Sequence, residues 1–211
     1  MERRPFGWSS SRDAYEVNVR TNFRRVLVLL SIAVVTQAGS AAAQCLTKPA
    51  KLAPALNGKE AYALARAEAT KWNADSIFTK MVTTSEGRLD TEGRASDWSI
   101  HFYSASAQKL NMMSFTKGVM TCFLVDRTSG GRPIAVSDQT ILDTKQILGI
   151  AQQAGGSAFD AKSHTVNANL AQNPRAGALW QIDYYPTGTQ QSALSVMIDS
   201  TSGKVVAKNP K

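Results

Sequence analysis

The feature that most constrains this chain is a stretch written twice. Leu124 to Gly131 reads LVDRTSGG and Met197 to Lys204 reads MIDSTSGK, with the two aspartates 73 positions apart. Upstream of each lies a second matching block, WSIHFY at 98–103 and WQIDYY at 180–185. These Trp blocks are offset by 82 positions, so the first copy carries nine extra residues, which fall in SASAQKLNMMSFTKG. Beyond the turns, GGRPIAV follows the first and GKVVAK the second. The same strand, turn and strand in one order predict a duplicated unit.

Local patterns fill in that unit. Asn57 can cap a helix, with Glu60 three residues on as the partner of a capping box. Ala61, Leu64, Ala65, Ala69 and Trp72 then recur on one helical face, so a helix is predicted to end near Asn73. A second helix is predicted after Asp143, with Ile147, Leu148, Ala151 and Ala154 inward and Gly155-Gly156 as its stop. Strand patterns cover 76–82, 97–103, 109–115 and 119–126, then a weak segment at 165–170, then 178–186, 192–199 and a last KVVAK. The expected fold class is α+β, as two tandem repeats, each one helix packed on an antiparallel sheet of three to four strands. The first unit spans 58–137 and the second 138–211. Asp126 and Asp199 can accept hydrogen bonds from the backbone amides ahead of them, while Gly130 and Gly203 can take a positive φ. The repeated stretch reads as a hairpin turn, since one carboxylate per loop is too few for calcium.

The net charge of +8 is partly a property of the first 25 residues, where Arg3, Arg4, Arg12, Arg20, Arg24 and Arg25 face Glu2, Asp13 and Glu16. An apolar run of 13 residues follows from Val26 to Ala38, too short to span a membrane, and then Ala41-Ala42-Ala43. This order predicts a signal peptide at 1–43, cleaved after Ala43, and a periplasmic or secreted product. The Arg pairs also permit a twin-arginine reading, but no cofactor motif demands folded export. The remaining Lys and Arg are scattered singly, which argues against nucleic acid. A tail at 44–57 holds two prolines. The two cysteines, Cys45 and Cys122, are expected to form a disulfide in an oxidising compartment; the rival is a lipidated Cys45, for which Gln44 is a poor preceding residue.

The Trp-bearing strands WSIHFY and WQIDYY, with LVDRTSG and MIDSTSGKVV, resemble the PepSY domain family. The resemblance covers most of the segment after residue 43 as two copies, and the second fits better. The first departs through its extra residues and through Gly131 and Pro133. It implies an exported or membrane-associated protein without catalytic residues, of a kind that in some members accompanies peptidases as an inhibitory or chaperone-like segment. The layout is also similar, more distantly, to that of proteinaceous β-lactamase inhibitors.

No catalytic constellation is legible. There is no G-x-S-x-G elbow, phosphate-binding glycine loop or paired carboxylate, so an unrecognised hydrolase is the third reading. No cofactor is expected. Met112, Met113 and Met120 lie near His101 in sequence, and soft sulfur ligands suit copper, which makes metal binding the second reading. The first is binding or restraint of another exported protein. His101 and Tyr103 alternate with the inward Trp98, Ile100 and Phe102, as Asp183 and Tyr185 do with Trp180, Ile182 and Tyr184. Those four outward residues are the expected contact patch if that face is uncovered.

Overall fold

The computed structural model describes residues 51–84, 88–127, 133–137, 139–159 and 164–210, all within one compact unit. The expected signal segment, Cys45 and Gly130 lie outside the described residues. In chain order the elements are β1 (Leu56–Asn57), α1 (Gly58–Trp72), β2 (Ile77–Thr83), β3 (Arg94–Ala95), β4 (Asp97–Ser104), β5 (Lys109–Thr116), β6 (Val119–Asp126), α2 (Thr144–Gln153), β7 (His164–Asn173), β8 (Gly177–Pro186), β9 (Leu194–Asp199) and β10 (Val205–Pro210). The class is α+β, with an antiparallel sheet under two helices.

Both helices start where their caps dictate. The Asn57 side chain accepts from the Glu60 amide at 2.8 Å, and Glu60 reaches back to the Asn57 amide at 3.0 Å. These two bonds satisfy amides that a helix start leaves without partners. Ala61, Ala65 and Ala69 form the buried side of α1, and their small side chains bring the helix close to the sheet. At α2, Asp143 accepts from the Lys145 and Gln146 amides, and Ile147, Leu148 and Ala151 turn inward.

Eight strands form one continuous sheet in the order β10-β9-β8-β7-β2-β4-β5-β6, and β1 pairs with β3 in a separate two-stranded sheet. Each half supplies a helix and a four-stranded meander, and the halves join edge to edge through β2 and β7. The expectation of two sheets, one per unit, is thus corrected. The alternating strand pattern that fixes one buried face also leaves the first strand of each meander with a free edge, and the two edges complete each other.

Two further expectations change. The nine extra residues are no insertion: they belong to β5, the third strand of its meander, which sits where β9 sits in the other half. Its hairpin to β6 is the tight turn at Lys117 and Gly118, whose φ values of 48° and 81° suit a two-residue connection matched to sheet twist. Asp199 therefore ends a third strand, whereas Asp126 ends a fourth, where it pairs with Lys109 at 3.6 Å. Of GGRPIAV, expected to match the final strand of the second copy, the described residues 133–136 form no strand; the Val136 amide instead donates to the Phe78 carbonyl of β2 at 2.8 Å. The weak segment at 165–170 is the ten-residue β7. Its pattern was faint because only Ala168 and Leu170 are buried, while Asn167 and Asn169 point to the other face.

Paired residues of an antiparallel sheet share a face. Register therefore places Ile100, Met81, Leu170 and Trp180 in one row across four strands, all fully buried, with α1 against β4 and α2 against β8. Trp98 and Trp180 anchor the two ends. Their indole N–H groups donate to the carbonyls of Leu56 (2.9 Å) and Ile141 (2.8 Å), just ahead of each helix cap. Gly156, after α2, lies so close to the Tyr184 ring that a Cβ there would stand 2.0 Å from the hydroxyl. Burial pushes the Tyr184 hydroxyl pKa up to about 12.

The helix starts meet at the junction of the halves. The Thr144 hydroxyl accepts from the Gly58 amide at 2.9 Å and donates to the Gly93 carbonyl at 2.5 Å. Replacing Thr144 with the near-isosteric valine strands both groups in a buried place. Urea denaturation of Thr144→Val is expected to show a loss of about 1–3 kcal/mol; an unchanged midpoint would mean this hydroxyl does not hold the two helix starts together.

Candidate interaction surface

Residues that alternate with the buried row project from the opposite face of the sheet, away from the two helices. Across the register this face reads Phe123, Met112, His101, Lys80, Ala171 and Leu179 in one row. The next row reads Thr121, Ser114, Ser99, Val82, Asn169, Gln181 and Met197. His101, Tyr103, Asp183 and Tyr185 all belong to it. The structure does not bring them together, because β2 and β7 stand between β4 and β8. Three strand spacings across the sheet and four residues along β8 put His101 and Asp183 roughly 19 Å apart.

Their environments differ as well. Tyr103 and Asp183 are buried among neighbours on the face, while His101 and Tyr185 are half-buried. Burial, with the Lys80 charge opposite as a second cause, pushes the His101 pKa down to about 4. Its Nε2 lies 2.9 Å from the Ser99 hydroxyl. Tyr185 is shifted upward, by burial first and by the Asp183 charge second. Both carboxylate oxygens of Asp183 accept from the Gln181 amide.

The exposed apolar surface lies elsewhere on the face. Along the edge strand β6, Phe123 is 62%, Val125 43% and Val119 39% exposed. Leu110 and Met112 stand half-buried behind them on β5. Sequence reasoning missed this stripe, although a signal was present. VMTCFLV is apolar on both alternations, which normally marks a strand buried on both sides. Here it is an edge strand with one side open. Its outer edge is met, among the described residues, only at its start, by a bridge from Lys51 to Val119 and a 2.7 Å bond from the Leu52 amide to Gly118.

Strand alternation divides the expected copper ligands. Met112 faces His101 directly on the open face, whereas Met113 and Met120 point to the helix side and are buried. Cys122 is half-buried opposite Met113 on that inner side. Four ligands on two sides of a sheet cannot close on one ion. Among the described residues no three His, Cys, Asp or Glu are grouped to hold a metal. His164 opens β7 and meets the edge of the Phe159 ring at 4.7 Å, well apart in the fold from His101.

The lowered His101 pKa makes a signed prediction. Between pH 6.5 and about 4 the unfolded chain binds a proton at this residue that the folded chain refuses. Stability therefore rises with pH through this window and is lost on acidification. Across it, the wild type should lose roughly 1–3 kcal/mol more than His101→Gln in parallel urea titrations. Equal losses would show that the imidazole is not held neutral. No protein family, no characterised protein and no solved structure matches this chain.

Proposed function

We propose that this protein is a non-catalytic, exported binding protein that recognises or restrains another envelope protein, with a peptidase as the kind of partner its resemblance suggests. The observation that carries the reading is the exposed apolar stripe of Val119, Phe123 and Val125 along an edge strand. Large apolar side chains in a row on an open strand are costly in water and are a form in which sheets accept an extended segment of another chain. Two PepSY-like units from a duplication fit the like layout of the halves and their paired Trp-to-carbonyl bonds. On this account the equivalence runs through strand position, β5 with β9 and β6 with β10, and not through the Asp-Thr-Ser-Gly echo.

Export carries with it the signal peptide at 1–43 and a Cys45–Cys122 disulfide. The bridge at Lys51 supports the pairing, since it brings the chain six residues after Cys45 to the start of β6. Six extended residues reach about 20 Å, ample to meet a cysteine three positions along that strand. A loop of this length is worth roughly 4 kcal/mol through restriction of the unfolded chain. Peptide mapping of exported protein without reductant should yield the Cys45–Cys122 pair. Recovery of a lipid-modified Cys45 would replace the bridge with an anchor.

The binding reading is tested with exported protein as bait in an envelope extract, beside a Phe123→Ser, Val125→Ser variant. The wild type should retain a specific protein that the variant loses. A partner kept equally by both would move the contact off this stripe, and recovery of none would end the reading.

A further inference from the structure

The C-terminal half of the open face holds a buried carboxylate with no cation. Asp183 is 8% exposed, and one group donates to it, the Gln181 amide at 3.1 and 2.8 Å. Among the described residues it takes part in no ion pair. Register sets Asn167 of β7 and Ser195 of β9 directly opposite it on either side. Ser195 is 6% exposed and its hydroxyl has no partner; the Asn167 side-chain oxygen is also buried without a donor. Asn169, opposite Gln181, repeats the deficit. The carboxylate, the Asn167 and Asn169 side-chain oxygens and the Ser195 hydroxyl thus stand side by side, and of these only the carboxylate is met by a hydrogen bond, from the Gln181 amide. Buried acceptors and charges are costly unless they are met.

Beside the cluster lies a hollow of about 170 Å³, whose lining includes Ala171, Leu179 and Met197 next to Asn169 and Gln181. An apolar trough ending at unmet acceptors matches a side chain with an aliphatic stem and a donor-only head. Arginine fits best. Its planar guanidinium brings five N–H donors and no acceptor, suited to oxygens spread over a sheet, and its one charge balances that of Asp183. Lysine offers three donors on a compact head, and calcium needs at least six oxygens. The half-buried Gln181 amide holds the Asp183 carboxylate here, so a guanidinium would compete with it for the same oxygens.

We propose that the Asp183 cluster receives an arginine side chain of the partner, its stem over Ala171, Leu179 and Met197 and its head on Asp183, Asn167 and Asn169. This rests on reading the open face as a docking surface, and it names what the partner must carry there.

The test is a titration of isotope-labelled protein with N-acetyl-arginine amide, followed by NMR. The neutral citrulline analogue, the lysine analogue and calcium chloride serve as comparisons. Saturable shifts in the millimolar range are expected at the Gln181 side chain and the amides of Asn167, Asp183 and Ser195. Asp183→Asn should weaken binding at least about tenfold and Ser195→Ala by a smaller factor, while Phe123→Ser leaves it unchanged. Equal binding of citrulline or lysine, shifts with calcium alone, or wild-type affinity in both cluster variants would overturn the assignment. A partner captured equally by Asp183→Asn removes this inference and leaves the docking reading. Arginine binding without any captured partner does the reverse.

Discussion

The structure depends on one row of side chains that crosses the seam between its halves. Ile100, Met81, Leu170 and Trp180 lie side by side across β4, β2, β7 and β8, with a helix over each end. Met81 and Leu170 are the two members that touch across the seam, where only three residue pairs are in register. Hydrogen bonds alone make such a short ladder weak, because each replaces bonds to water and nets about 1 kcal/mol. Burial of the row is what makes the join, at about 25 cal/mol for each Å² of apolar surface removed from water. Thr144 and the Thr83–Ala168 bonds then fix its register.

Much of this was legible in the sequence, and the reasons differ by element. Both helices could be placed because caps and inward faces are local signals, carried by Asn57, Glu60 and Asp143 within a few residues of what they control. The Trp strands could be placed because apolar and polar residues alternate cleanly in WSIHFY and WQIDYY. The joining of the sheets could not, since edge pairing leaves no mark in either strand beyond the burial of Met81 and Leu170. The equivalence of the two turns misled for a related reason. At Asp199 the carboxylate accepts from the Thr201 and Ser202 amides just ahead of it, a local arrangement that carries no address in the fold.

The open face was harder to read than the covered one. Alternation correctly puts His101, Tyr103, Asp183 and Tyr185 on one side, yet it says nothing about how far apart they are or how deeply neighbours cover them. Their separation depends on strand order, which is a tertiary fact. The apolar stripe on β6 was hidden by its own composition, since a strand apolar on both alternations suggests a core position. What distinguishes β6 is its place at the end of the sheet. The acceptor cluster around Asp183 was equally silent, because Asn167, Ser195 and Asn169 meet the carboxylate only across strands.

The meander arrangement also has a temporal side. Within each half the four strands of the meander follow one another across the sheet in sequence order, so most sheet contacts are local and quick to form. The seam is different: it joins residues near 81 to residues near 170, and its closure waits until β7 has been made. As synthesis runs from the N-terminus, β2 is complete while its future neighbour has not yet been made, and its outer edge is a bare row of amides and carbonyls. Lys80 stands in the middle of that edge, a charge of the kind that deters chance pairing between chains. It is later flanked by Ala171, small enough to accept the long side chain beside it. A residue that looks incidental in the finished sheet is thus well placed to protect the unfinished one.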